Sequence, residues 1–558
     1  MQVFTADSLT KVLREPESDE GSLAAGPVRI RACRNERESF QVVVAADDRP
    51  LSGVSVEMSD LQHESGGSAI PASQVVVNPV AYVETHLPAY PVTRVGWWPD
   101  PLMPPGPARV EAGQRQPFWL TVHVPTGAAP GPYRGQVTVR AEGRPEVSVP
   151  VEVKVWDFSL APAPPLPSAF GVYPHQIERF YGQHPVAEEV LRNYWDLLFS
   201  HRISSDKLGE PLKEGLRAVM EGRETRPFDF RTFDERLEYC FARGLTSFLV
   251  ARLPGFQDDG PDLTQEEQRR LVDYLGDFAR HLEERGWLER AFTLVWDEPW
   301  QNRWPEVLKQ LKTIHRAHPG LRTRLDGPVT GPLIEACESE IDVFVLHMRS
   351  VAEAGKEAQA NIERWREAGR SLWIYVACDT NHPYPNIHID YPLMDCRILP
   401  WINWRYDIEG MLYWTANWWG EENLRGDAPE EKWPHRPWVC ANFVEEGERG
   451  RREYNGDGHL IYPGPGGTAL SSVRLEALRD GVEDYEYVWL LEKGIRALAE
   501  DGKAGDLAAE AGEWLAQQPI VNTYTEWCRD PAVLWSARDE LADLIVRVQG
   551  AGGVCRPG

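Results

Sequence analysis

The chain has 558 residues, 42% hydrophobic and 26% charged, which is the balance of a soluble globular protein rather than a disordered or membrane-spanning one. At roughly 150 residues per domain it divides into two to four domains. Its 59 Lys and Arg against 85 Asp and Glu leave a formal charge of −26, which repels phosphate-rich partners and argues against nucleic acid or an anionic membrane as the main ligand.

The first residues, MQVFTADSLTKVLREPESDE, contain no basic region followed by an apolar run, and no stretch of 18 apolar residues occurs. A soluble, cytoplasmic protein is therefore expected. From about residue 27 to 157, short alternating segments such as VRIRACRNERESFQVVVAA, PFWLTVHVP and VSVPVEVKVWDF are separated by Gly, Pro and Asp. Period-two alternation with turns at this spacing predicts an antiparallel β-sandwich over residues 1–158. The aromatic loop GWWPDPLMPP (96–105) suits packing between domains or a position over the mouth of the next one.

SLAPAPPLP (159–167) follows, and its repeated Pro can continue neither a ladder nor a helix, so it reads as a stiff linker. Beyond it β-type runs alternate with amphipathic helices, which implies parallel strands with helical crossovers. Eight strand candidates appear: SAFGVY, RISSDKL, SFLVARL, FTLVWDEP, RTRLDGP, VFVLHM, SLWIYVACDT and GMLYWTANWW. The expected fold class is α/β, the sandwich being followed over residues 168–558 by a (β/α)8 TIM-like barrel with extra C-terminal helices. The eight Cys are scattered with no CxxC pair and no His cluster at ligand spacing, so no metal, no other cofactor and no disulfide framework is expected.

In such a barrel the reactive groups sit at the carboxyl ends of the strands. The fourth candidate ends Val295, Trp296, Asp297, Glu298, Pro299, Trp300. Two adjacent carboxylates closing an apolar strand are costly unless solvated, paired or used. Glycoside cleavage uses two: one donates a proton to the leaving oxygen while a second negative group supports the cationic centre. Strict strand alternation points Asp297 and Glu298 to opposite faces. They share a pocket only if the backbone leaves regular geometry, and Pro299 restricts the residue before it. The 22 Trp suit stacking against sugar rings as well as plain aromatic packing.

Taken together, the sandwich, the Pro-rich linker, VWDEP, GMLYWTANWW and GDGHLIYPGPGG followed by SSVRLEALRDGVEDYEYVWLL resemble glycoside hydrolase family 123 and related β-N-acetylgalactosaminidases. The resemblance spans about residues 30–490, and its most specific parts are the Asp-Glu pair and the stretch from Arg474 to Tyr487. It implies a retaining, substrate-assisted reaction on a glycan with a terminal 2-acetamido sugar. Asp297 would then orient the acetamide and Glu298 act as acid and base.

Strand phase adds a candidate pocket wall. Trp373, Tyr375 and Ala377 share one face, expected to be the inner one, and Tyr375 is placed to hydrogen-bond the acetamide oxygen. His347 and Trp414 face inward by the same argument. Trp296, Asn417, Trp418 and Asp379 lie beside them in sequence, and Asp457 is placed either to meet sugar hydroxyls or to close a tight turn. Arg474, Glu476, Arg479 and Asp480 at a helix start read as structural ion pairs. Two other functions fit the same residues: double displacement with a separate nucleophile such as Asp379, and a sugar-binding protein without turnover.

Overall fold

A computed structural model describes residues 1–16, 23–208, 210–224, 226–250, 263–426, 428–439, 443–447, 450–500, 502 and 505–552. Two sheets occupy the N-terminal part. One runs in the order Gln2–Asp7, Arg37–Ala45, Arg115–His123, Val75–Thr85, Gly96–Leu102. The other runs Val28–Arg34, Val147–Ser159, Gly131–Arg140, Leu51–Met58, Ala108–Val110. Pairing is antiparallel apart from Val28–Arg34, which lies parallel to Val147–Ser159. Alternation does its work here: Phe40, Val42, Val44, Phe118, Leu120 and Val122 from the first sheet meet Val137, Val139, Val151 and Val153 from the second in one buried cluster. Burying each such side chain contributes about 1.5–3 kcal/mol.

The second sheet system is parallel and has seven strands, ordered Ser168–Phe170, Gly410–Tyr413, Ser371–Tyr375, Val343–His347, Arg322–Gly327, Ala291–Asp297 and Phe248–Val250. Residues 251–253 of the third candidate strand lie outside the described residues. RISSDKL departs from expectation by forming no ladder strand. It still spans the gap between the sheet edges: Phe170 N donates to Ser204 O (2.9 Å) and Leu249 N to Asp206 O (3.0 Å). Hydroxyls replace the remaining ladder bonds, with Ser204 N donating to Ser168 Oγ (2.8 Å) and Thr246 N to Ser204 Oγ (3.0 Å). A serine hydroxyl offers the backbone an alternative to the ladder in this way. The result is a nearly closed barrel.

Its interior holds Ala169, Leu249, Phe292, Leu294, Val343, Val345, Trp373, Tyr375 and Leu412. The opposite strand faces, including Leu325, Phe344, Leu346, Leu372 and Ile374, join the large cluster under the helices. Among the described residues no helix is long and apolar enough to cross a membrane.

Helix Val473–Glu500 binds the parts together. Its Arg474, Glu476, Arg479, Asp480, Glu483, Asp484 and Glu486 are all buried, an arrangement that is stable only when every charge is paired. Arg474 forks onto Asp100 of the first sheet (2.9 and 2.8 Å), and Arg397 forks onto Asp484 (2.8 and 3.0 Å). Arg538, from helix Pro531–Gly550, reaches Glu36 and Glu38. GWWPDPLMPP supplies this joint through Asp100, and Leu102 N donates to Ser471 O (2.9 Å).

Candidate active site

Strand Ala291–Asp297 starts regularly, with Phe292 and Leu294 inside the barrel. Between Leu294 and Trp296 its register against Arg322–Gly327 shifts, and Glu298 adopts φ +50°. A left-handed backbone is unusual for a non-glycine residue and costs on the order of 1–3 kcal/mol. Glu298 N still donates to Asp326 O (3.1 Å), so the chain stays fastened to its neighbour as it turns. Asp297 and Glu298 are both exposed in consequence, while Pro299 is buried.

The neighbouring strand makes room for this turn. Gly327 has φ +110°, and a Cβ there would lie 3.1 Å from Glu298 Cα and 3.2 Å from its Cγ. Gly327→Ala should therefore displace Glu298 and lower kcat about tenfold, since ångström-scale misplacement costs up to about 10²-fold. Steady-state kinetics beside a melting curve tests this, and unchanged kcat in a folded variant would refute it.

Tyr375, buried at the end of Ser371–Tyr375, donates its hydroxyl to Glu298 Oε1. Burial first, then the charge of Glu298 with smaller contributions from Asp326 and Asp297, raises its pKa well above the ordinary value. The phenol is thus a neutral donor that senses both carboxylates of the pair. Beneath it Arg324 forks onto Asp326 (2.7 and 2.6 Å) and also reaches Asp206 Oδ2 (3.1 Å). Burial lifts the Asp326 pKa even against the pull of Arg324. No motif in the sequence marks this floor, although Arg324 and Asp326, two apart on one strand, share a face by simple alternation.

His347 lies in phase with Val343 and Val345, its Nε2 2.8 Å from Thr380 Oγ1 and 3.1 Å from Asp379 Oδ1, and its ring 5.1 Å from Tyr375. Burial works to raise the Asp379 pKa, but the hydrogen bond and charge of His347 and the charge of Arg349 bring it below the usual range. Opposite charges and donors at the barrel rim hold this carboxylate ionised.

Trp414 is half-buried, with its Nε1 donating to Asp457 Oδ2 (3.1 Å) and its ring 5.5 Å from Trp418 and 6.5 Å from Tyr173. Gly458, at φ +70°, lets the chain pass beneath it, because a Cβ there would stand 2.2 Å from Trp414 Cζ2. Of the two places expected for Asp457, it takes the tight turn, over residues 455–458. It is fully buried, takes a second hydrogen bond from the Tyr413 hydroxyl (3.2 Å), and has its pKa pushed up to about 7, chiefly by burial and further by the charge of Asp379. Its place is behind the Trp414 ring, as a support.

Asn417 departs from its expected place in the pocket wall: fully buried, it accepts from Tyr173 N (2.7 Å) and donates to Tyr173 O (3.1 Å), so its amide is spent on backbone. Trp296, turned by the register shift, packs against the outer cluster rather than the barrel interior. Lys207 joins the site unforeseen, its Nζ donating to the Tyr173 hydroxyl (2.6 Å) and Trp414 O (2.8 Å). RISSDKL carried no period that would mark it.

Two family models match the sequence, the glycoside hydrolase 123 catalytic domain over residues 262–491 and the glycoside hydrolase 123 N-terminal domain over residues 14–141. The chain belongs to glycoside hydrolase family 123. Among solved structures this family 123 chain is similar to a family 123 glycoside hydrolase from Clostridium perfringens, studied for the hydrolysis of glycolipid glycans. The two share 16% identity over 98% of this chain and 97% of that one, with a TM-score of 0.69. A family 39 glycoside hydrolase from Bacteroides cellulosilyticus WH2 is also similar, at 12% identity over 74% of this chain and 78% of that one, but its TM-score of 0.30 carries no argument about topology. No curated protein matches the sequence.

The catalytic-domain match takes in Asp297, Glu298, His347, Tyr375, Asp379, Trp414 and Asp457. In this family 123 chain, then, an acidic pair stands at the carboxyl end of a barrel strand with a tyrosine donor on its second member. An aromatic wall of Tyr173, Trp414 and Trp418 is braced by Asp457 and Lys207.

Proposed function

We propose that this protein is a retaining, exo-acting β-N-acetylgalactosaminidase that uses the substrate's own 2-acetamido group as nucleophile. The observation that carries the reading is the turn at Glu298, which leaves two consecutive carboxylates solvent-facing, with the Tyr375 hydroxyl on the second.

The chemistry then follows from which atoms need charge. Asp297 accepts the acetamide N–H, which raises electron density on the acetamide oxygen and aims it at the anomeric carbon. As the oxygen–carbon bond forms and the glycosidic bond breaks, Glu298 transfers its proton to the leaving oxygen. A water enters, Glu298 now takes its proton, and the water oxygen bonds the anomeric carbon as the acetamide oxygen–carbon bond of the oxazolinium ring breaks, with net retention. Tyr375, kept neutral, donates to Glu298 while it is ionised between these two steps. Trp414 and Trp418 supply an apolar face for the sugar ring.

Asp297→Asn keeps the shape and removes the charge. Its kcat on a para-nitrophenyl β-N-acetylgalactosaminide should fall about 10²-fold, the usual size of one lost transition-state contact. A panel of para-nitrophenyl β-glycosides of N-acetylgalactosamine, N-acetylglucosamine, galactose and glucose tests the reading as a whole. Cleavage of the plain galactoside as fast as the acetamido one would refute substrate assistance. It would favour double displacement, for which the ionised Asp379 at the rim is the available carboxylate.

A further inference from the structure

Trp300 is 81% exposed, an extreme value for the largest apolar side chain. Its backbone is nevertheless well held. Pro299 before it is buried, Arg303 N donates to Trp300 O (2.8 Å), and the Gln301 side chain donates to Thr330 O (3.1 Å) and accepts from Leu333 N (3.3 Å). An indole fixed at its root and bare at its tip gains nothing for the fold, because it leaves almost all of its apolar area in water.

Its position suggests a use. One residue, Pro299, separates it from Glu298, so their Cα atoms lie at most about 7 Å apart, within the combined reach of the two side chains. Under the reading above, Glu298 is the group that meets the leaving-group oxygen, and the leaving sugar therefore occupies the Glu298 side of the scissile bond. The terminal sugar has its own aromatic wall in Trp414 and Trp418, which meet each other at 5.5 Å and lie in the segment just after strand Gly410–Tyr413. Trp300 follows a different strand and belongs to neither that wall nor the barrel interior.

We infer that Trp300 is the stacking platform of the leaving-group subsite, which selects substrates whose aglycone is itself a sugar. This rests on the proposed function and adds the aglycone class to it. A flat indole offers such a ring apolar contact without reading its hydroxyls, so the platform favours a saccharide over a small leaving group and tolerates several linkages.

The test compares wild type, Trp300→Ala and Trp300→Phe on two substrates, β-N-acetylgalactosaminyl fluoride and a β-linked N-acetylgalactosaminyl-galactose disaccharide. Trp300→Ala should lower kcat/KM for the disaccharide about 10- to 100-fold, the range expected of one lost aromatic stacking contact, and leave the fluoride within twofold. Trp300→Phe should recover most of the loss. In a Glu298→Gln background, the disaccharide should bind more tightly than free N-acetylgalactosamine, and Trp300→Ala should erase that margin. Equal losses on both substrates, or no loss on the disaccharide, would overturn the subsite while leaving the activity standing. Failure of wild type to cleave either substrate would instead overturn the proposed function and the subsite with it.

Discussion

Glu298→Gln is expected to lower kcat on β-N-acetylgalactosaminides by about 10³- to 10⁴-fold, the upper part of the range for a positioned acid and base. The amide keeps the size of the side chain, accepts the Tyr375 hydroxyl as Glu298 Oε1 does, and suits the same left-handed backbone as poorly as glutamate. The fold should therefore be untouched and substrate affinity nearly so. What the variant lacks is a proton to give and a charge to take one back. The loss should grow as the leaving group becomes less acidic, since a poor leaving group needs the proton most. Aryl glycosides of graded acidity provide the measurement. A drop of only a few-fold, or one independent of the leaving group, would remove Glu298 from the chemistry.

Arg474→Met is expected to cost about 3–5 kcal/mol of stability, the usual price of stripping one partner from a buried ion pair. Arg474 is wholly buried, and its guanidinium is committed on every side: Asp100 takes two bonds (2.9 and 2.8 Å), Ile387 O a third (2.6 Å), Gly456 O a fourth (3.1 Å), and His459 O is a further partner. Removing it strips both of those bonds from the buried Asp100 carboxylate, which keeps the Tyr462 hydroxyl as a donor. The same bonds suspend the loop that carries Asp457 and Gly458 beneath Trp414. KM should accordingly rise even at temperatures where the variant stays folded. The urea midpoint followed by tryptophan fluorescence, with Asp100→Asn and the double variant to complete a cycle, checks the coupling. A change below about 1 kcal/mol would show that the pair is replaceable by apolar packing, as buried ion pairs sometimes are.

Much of the site was legible along the chain because strand periodicity assigns faces without reference to neighbours. Tyr375 and His347 were placed inward from phase alone, and they lie in line with Trp373 and with Val343 and Val345. The buried pairs of Arg474, Glu476, Arg479 and Asp480 answer to the mixed charges at a helix start. The burial of Asp457 and Asn417 was not legible, because a polar residue in a glycine-rich or aromatic loop looks the same whether it faces water or a buried donor. Their partners, Trp414, Tyr413 and Tyr173, come from other elements.

The sequence by itself determined the two β-architectures, the placing of an Asp-Glu pair where a barrel strand ends, and the family. All of these rest on local alternation, composition and motif. Only the tertiary structure decided that the backbone turns left-handed at Glu298, that RISSDKL bridges the sheet through hydroxyls, and that Arg324 joins Asp206 to Asp326 beneath the acidic pair. Each of these depends on atoms brought together from separate strands. Gly327, for example, leaves the space that Glu298 fills, and close packing across a barrel leaves no trace in the spacing of either segment alone.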